Sequence, residues 1–151
     1  MVQKVRPRIP GSRVLQPAGL MVNAKEIARS RFHILVVDSE PNVASNIAYN
    51  LENAGYIVTG TSRHYLGTCL FDVMKNGAMQ YSLVVTNEFD GGIGLIDRVK
   101  KSTPNTKVLL CASSPKEEQG LADDILRRPF EAKALVSKAD LLLGITPPPQ
   151  I

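Results

Sequence analysis

The chain has 151 residues, which suits one domain with a short additional segment, because single domains most often have roughly 100 to 150 residues. Its 44% hydrophobic and 21% charged residues are typical of a globular protein, and the 5% aromatic share argues against a nucleic-acid platform of stacked rings. No apolar run approaches the roughly 18 residues that a bilayer span requires, and no signal-peptide core is present, so we expect a cytoplasmic protein.

The basic charge is concentrated at the N-terminus. Residues 1–31 contain seven Lys or Arg residues and one Glu, whereas residues 32–151 contain 11 basic and 13 acidic residues. Residues 1–31 also contain three prolines and two glycines without a sustained period, which predicts a flexible basic leader with a helical hint only at 23–29. Cys69 and Cys111 belong to no metal-binding motif, so we expect neither a metal site nor a disulfide.

Apolar runs and amphipathic segments alternate from Phe32 onward. The pattern predicts four strands at 34–37, 56–60, 82–86 and 107–112, and a brief fifth strand within 123–130. It predicts helices at 40–55, 65–76, 95–102 and 131–143. In the helix at 65–76 we expect Leu66, Leu70, Val73 and Met74 to face inward. The predicted domain therefore spans residues 32–143, and a proline-rich tail follows at 144–151.

Strands that alternate with helices through short loops indicate a five-stranded, doubly wound parallel sheet. In such sheets the carboxyl ends of the strands border the ligand crevice. The candidate residues are therefore those that end or follow each apolar run: Asp38, Ser39, Glu40, Thr61, Ser62, Asn87, Glu88, Asp90, Cys111, Ala112, Ser113, Arg127 and Arg128.

Five segments in this order resemble the receiver domain of two-component response regulators, a flavodoxin-like fold. They are "ILVVDSEPNV", "LENAGYIV", "YSLVVTN", "VLLCA" and "ADDILRRPF", and the resemblance covers about residues 32–143. It implies a phosphoryl-accepting aspartate beside Mg²⁺, and that position falls on Asn87. An amide is a poor nucleophile for phosphorus and brings no negative charge to Mg²⁺.

The other positions that the resemblance assigns are also altered. The acidic pair that would hold Mg²⁺ falls on Asp38 and Ser39, with Glu40 beside them. The lysine that contacts the phosphoryl group falls on Arg128, whose planar fork replaces a compact ammonium. The switch hydroxyl falls on Cys111 and the switch aromatic on Ile125. We therefore expect a degenerate pocket in which Asp38 caps a helix or pairs with Arg128.

The crossover between the fourth and fifth strands is short. Only 17 positions separate Cys111 from Arg128, which leaves "SSPKEEQGLADD" room for a turn or two and predicts a shortened fourth helix. The resemblance also implies a cis bond between Arg128 and Pro129. Asp90 is a rival acceptor if the loop register shifts, although its place beside two glycines favours a turn residue.

These departures predict a pseudo-receiver that acts without phosphorylation as a signalling or scaffolding module for a protein partner, with no catalysis and no cofactor. The alternative is an adaptor whose basic leader binds nucleic acid or anionic membrane. A residual phosphoryl-accepting receiver and a small-ligand binder using Asp38, Asn87 and Arg128 are weaker alternatives.

Overall fold

The computed structural model describes residues 24–75, 77, 80–89, 91–113 and 122–145. The strands are β1 (His33–Val37), β2 (Ile57–Thr61), β3 (Leu83–Asn87), β4 (Lys107–Ala112) and β5 (Asp124–Arg127). The helices of the described residues are α1 (Ala24–Arg29), α2 (Pro41–Asn53), α3 (His64–Met74), α4 (Gly92–Ser102) and α5 (Ala132–Leu142). The leader before residue 24, Asp90, the predicted short helix at 114–121 and the tail from residue 146 lie outside the described residues.

The five strands form one parallel sheet in the order β2-β1-β3-β4-β5, which confirms the predicted doubly wound, flavodoxin-like fold. The inner strands β1, β3 and β4 are buried almost throughout, as their continuous apolar sequences predict. No helix of the described residues is long and apolar enough to cross a membrane.

Alternate side chains of the inner strands build two core layers. Ile34 and Val36 of β1 join one layer, which also contains Leu135 of α5. The neighbouring residues Leu35 and Val37 point to the opposite face and join the layer that contains Phe71 of α3. Because successive strand residues point to opposite faces, one unbroken apolar run supplies both layers.

The predicted inward face of α3 is wrong in part. Leu66 and Val73 are 45% and 76% exposed, whereas Gly67 and Phe71 are buried. A Cβ atom at Gly67 would lie 2.6 Å from a methyl group of Val37, so the helix backbone packs directly against β1 at this point. The apolar period alone does not reveal that a glycine is the point of closest approach.

Helix α1 packs against the turn between α2 and β2. Gly55 adopts a φ of 115°, and a Cβ atom there would lie 3.1 Å from the backbone of Glu26. The described fold thus begins before the predicted boundary at residue 32. It also continues past residue 143, because Ile145 is buried in the core layer of α2 and α5.

An ion pair joins α1 to α5. Arg29 donates to both carboxylate oxygens of Asp140 at 3.0 and 2.6 Å and to the carbonyl oxygen of Ala54 at 3.0 Å. The Tyr56 hydroxyl donates to the same carboxylate at 2.5 Å. Burial and the contact with Asp140 raise the pKa of Tyr56, and the hydrogen bonds to Asp140 raise the pKa of Arg29. The predicted leader therefore contains a residue that holds the domain together.

We expect the substitution Arg29→Met to lower the free energy of unfolding by about 3 kcal/mol, because it leaves the Asp140 carboxylate buried without its cation. The matched control is Arg98→Met, since Arg98 also binds an aspartate, Asp72, through two nitrogens at 2.8 and 2.6 Å. That pair is 48% and 31% exposed, against 12% and 12% for Arg29 and Asp140, so its loss should hardly move the midpoint. Urea denaturation measures the free energy of unfolding of both variants. Equal losses in Arg29→Met and Arg98→Met would contradict the idea that burial makes the Arg29 pair important.

Candidate functional site

The carboxyl ends of β1, β3, β4 and β5 bring the predicted site residues together. Asn87 is the last residue of β3 and lies opposite Cys111 of β4 in the sheet register. Asp38 directly follows β1, and Arg128 directly follows β5. The sequence pattern located this edge correctly, although β2 and β3 each begin and end one residue later than predicted.

Asp38 is the buried acidic group of this edge, with only 1% of its surface exposed. One carboxylate oxygen accepts a hydrogen bond from the backbone N–H of Glu40 at 3.0 Å, and the other forms an ion pair with the Arg128 guanidinium. Arg128 also donates to the carbonyl oxygen of Cys111 at 3.3 Å. The expected pairing of Asp38 with Arg128 is therefore present, and both carboxylate oxygens are occupied.

Asn87 turns its amide nitrogen toward the acidic loop. The nitrogen donates to the Ser39 hydroxyl at 2.7 Å and lies 3.5 Å from the Asp38 carboxylate. Its amide oxygen is buried and has no hydrogen-bond partner among the described residues. This orientation keeps the amide oxygen from facing the Asp38 carboxylate, where the two acceptors would repel each other.

Glu88 connects β3 to β4 through a contact that sequence reasoning did not predict. Its carboxylate accepts a hydrogen bond from the backbone N–H of Ser113 at 3.0 Å. Both residues appear in the sequence among those that follow strands, but no motif pairs them. The contact depends on how the two strand ends are placed side by side.

The glycines after β3 serve close packing. Gly91 has a φ of 94°, in the left-handed region that favours glycine. A Cβ atom at Gly92 would lie 1.7 Å from the carbonyl oxygen of Asn87, so α4 starts in direct backbone contact with the strand end. Gly92 is thus required by its close approach to Asn87.

The remaining predicted residues contribute to the core or to its edge. Cys111 is fully buried, and burial raises the pKa of its thiol to about 12, so it is not a nucleophile at neutral pH. Ile125 packs at the edge of the core layer of α3 and α4. His33 and His64 make hydrogen bonds to Thr59 and Thr86 at 2.9 and 3.2 Å.

The fold resembles several solved structures. A receiver domain protein from Clostridium thermocellum superposes with a TM-score of 0.66 at 24% identity, covering 75% of this chain and 94% of that one. An orphan response regulator of H. pylori gives 0.64 at 22% identity, with coverages of 76% and 98%. The chain has the receiver fold. The peptide bond between Arg128 and Pro129 is cis, as expected from the resemblance.

A further receiver-fold neighbour is described as an atypical orphan response regulator with a phosphorylation-independent regulatory mechanism. It has a TM-score of 0.63 and 21% identity, with coverages of 76% and 98%. Among curated proteins, the uncharacterized transcriptional regulatory protein YkoG of Bacillus subtilis is 32% identical over 115 residues, 70% of this chain. The chain spans about half, 48%, of that relative. No protein-family model matches.

The resemblance to receivers implies a Mg²⁺ ion at the carboxyl ends of the strands. The residues at this site, Asp38, Ser39 and Asn87, do not fit such an ion. Asp38 is the buried carboxylate there, and both its oxygens are engaged by Arg128 and by the backbone of Glu40. Ser39 and Asn87 are neutral, and the amide nitrogen of Asn87, which cannot ligate a cation, faces Ser39 and Asp38. In the described part of the chain no three His, Cys, Asp or Glu side chains are grouped to hold a metal.

We expect Gly92→Ala to lower the free energy of unfolding by about 3 kcal/mol or more, because the new Cβ atom overlaps the carbonyl oxygen of Asn87. Gly94→Ala is the matched control in the same helical turn, since a Cβ atom at Gly94 meets nothing within 4 Å. This control should stabilise the protein by up to about 1 kcal/mol through helix propensity. Thermal and urea denaturation distinguish the two, and a neutral Gly92→Ala would contradict the close approach of α4.

Proposed function

We propose that the chain is a pseudo-receiver, a signalling or scaffolding module that recognises a protein partner in one constitutive state without phosphorylation. The observation that carries the proposal is the buried ion pair between Asp38 and Arg128. The resemblance implies that in a phosphorylated receiver the carboxylate at the Asp38 position helps to hold a metal ion beside the phosphoacceptor. Here an arginine of the chain itself supplies the positive charge.

The residue at the acceptor position supports the same proposal. Asn87 is fully buried, its nitrogen is hydrogen-bonded to Ser39, and a carboxamide does not attack phosphorus as a carboxylate does. Two changes therefore act together. The nucleophile is missing, and of the two carboxylates that would hold the metal only Asp38 is present, already paired with Arg128.

Three contacts link the strand ends and favour one fixed arrangement. Asn87 binds Ser39 and so joins β3 to the loop after β1. Arg128 binds Asp38 and joins the end of β5 to the same loop, while Glu88 binds the backbone of Ser113 after β4. All three use groups of the chain itself, so this edge holds its arrangement without a phosphoryl group or a metal ion.

The comparisons add a precedent and a general expectation. One solved neighbour with the same fold is described as phosphorylation-independent, although its 21% identity carries the fold alone. Receiver domains generally act as signalling modules, so we propose recognition of a protein partner in place of catalysis. A small-ligand role for Asp38, Asn87 and Arg128 is less favoured, because these side chains already bind one another or the residues beside them.

The phosphotransfer test compares three forms of the chain with acetyl phosphate or beryllium fluoride and Mg²⁺, read by intact-mass spectrometry. We expect no adduct on the natural chain and none on Asn87→Asp, because that variant still lacks a second metal carboxylate. The combination Ser39→Asp, Asn87→Asp and Arg128→Lys should gain Mg²⁺-dependent labelling, since it supplies two carboxylates, an acceptor and a compact ammonium.

The control for the combined variant is the same protein with Asp38→Asn, which removes the remaining carboxylate and should abolish labelling. A stoichiometric adduct on the natural chain would sink the proposal. Labelling of Asn87→Asp alone would show that the carboxylate absent at Ser39 is not needed for the metal.

A second function is favoured by the charge of the leader. Residues 1–23 contain four basic residues and no acidic residue, and the Bacillus subtilis relative is named a transcriptional regulatory protein. An adaptor would use these residues to bind nucleic acid or anionic membrane while the domain recruits a partner. We rank it second because four separated charges without aromatic residues between them make a weak binding motif.

The leader is tested with residues 24–151 as the comparison, because a cut at residue 32 would also remove Arg29 and unpair Asp140. We expect the full chain and residues 24–151 to elute from DNA and from anionic vesicles at the same salt concentration. If DNA or anionic vesicles retain the full chain but not residues 24–151, and this retention weakens steeply as salt rises, the protein is an adaptor and not a module that binds only a protein partner.

A further inference from the structure

One of the two edge strands of the sheet is β2, which pairs only with β1 in the described structure. The N–H of Ile57 donates to Phe32, and the carbonyl oxygen of Thr61 accepts from Asp38. Because backbone groups alternate along a parallel strand, Ile57, Thr59 and Thr61 face β1, whereas Val58 and Gly60 direct their N–H and C=O groups away from the sheet.

This edge lacks the features that usually prevent strand pairing. The sequence IVTGT contains no charged residue and no proline, and Ile57 is 44% exposed. Edge strands of monomeric proteins are commonly protected by an inward lysine, a proline, a bulge or a covering segment. Among the described residues, no element covers the outward side of β2.

A groove of about 300 Å³ runs beside the edge on the α2 face of the sheet. Its α2 wall includes the small side chains of Ala44, Ser45 and Ala48 together with Pro41 and Glu52, and its strand wall includes Gly60. A Cβ atom at Gly60 would be 3.4 Å from that of Ala48, an ordinary contact, so the hollow left between strand and helix is the size of a methyl group.

We propose that β2 pairs with β2 of a second copy of this chain, antiparallel about a two-fold axis at Thr59. In that register Val58 and Gly60 of one copy exchange backbone hydrogen bonds with Gly60 and Val58 of the other, so all outward groups of the strand centre are paired. The result is a continuous ten-stranded sheet across the dimer, with an isologous contact.

The side chains favour a second copy over an unrelated strand. Cross-strand neighbours share a face, so Val58 of each copy lies next to Gly60 of the other, where the absence of a side chain leaves room for it. On the opposite face Thr59 meets Thr59 and Ile57 meets Thr61, which are favourable strand pairs. The pairing also brings the exposed Arg63 of one copy toward the end of α2 that contains Glu52 of the other.

Oligomeric mass tests the proposal on the full chain by analytical ultracentrifugation over a concentration series. We expect a concentration-dependent species of twice the 16.4 kDa chain mass. Ile57→Lys, at an exposed position that tolerates charge, should raise the dissociation constant by at least about tenfold because it places a guarding lysine on the edge. Circular dichroism confirms that the variant is folded.

Cysteine cross-linking tests the register, with Cys69→Ser as the common background. In the proposed pair the Cα atoms of the two Thr59 residues lie about 4.5 to 5.5 Å apart, within disulfide reach. Thr59→Cys should therefore form a covalent dimer with diamide at least about tenfold faster than the matched control Thr61→Cys, whose copies lie about 13 Å apart along the strands.

A chain that remains monomeric up to about 1 mM would overturn the proposal and leave the edge to a strand of another protein. A dimer in which Thr61→Cys cross-links as fast as Thr59→Cys would place the interface elsewhere. Neither result depends on phosphoryl chemistry, so both are separate from the proposed pseudo-receiver function.

Discussion

The buried ion pair between Asp38 and Arg128 is the contact on which the functional edge of this protein depends. A carboxylate that is 99% shielded from water is costly unless a cation and hydrogen bonds compensate it, and here the chain supplies both. The guanidinium comes from the residue after β5 and the carboxylate from the residue after β1, so the pair connects the edge strand β5 to β1 across the ends of β3 and β4.

The same principle appears at the opposite end of the sheet. Arg29 of α1 compensates the largely buried Asp140 of α5, and Tyr56 shares that carboxylate. One pair therefore organises the candidate site, and the other anchors helix α1 to helix α5. Of the basic residues in the N-terminal segment, Arg29 is structural, whereas those before residue 24 lie outside the described residues.

Sequence reasoning recovered the fold because long-range order in a parallel sheet follows from local patterns. Continuous apolar runs with intervening amphipathic helices predicted β1, β3 and β4, and the strand ends gathered Asp38, Asn87, Cys111 and Arg128 at one edge. The pairing of Asp38 with Arg128 was also predicted, since both residues follow strands whose carboxyl ends meet at the same end of the sheet. Errors arose where a glycine replaced an apolar side chain as the contact point, as Gly67 does in α3.

The sequence by itself determined the sheet, the order of its elements and the presence of an amide, Asn87, at the end of β3, because these depend on residue type and period along the chain. Only the tertiary structure decided that Glu88 binds the backbone of Ser113, that Gly92 touches the carbonyl oxygen of Asn87, and that Arg29 is buried against Asp140. Each of these contacts joins segments whose separation in space depends on how strands and helices pack. The outward edge of β2 with the hollow at Gly60 is likewise a property of packing, because it arises from the strand order and from the distance between β2 and α2.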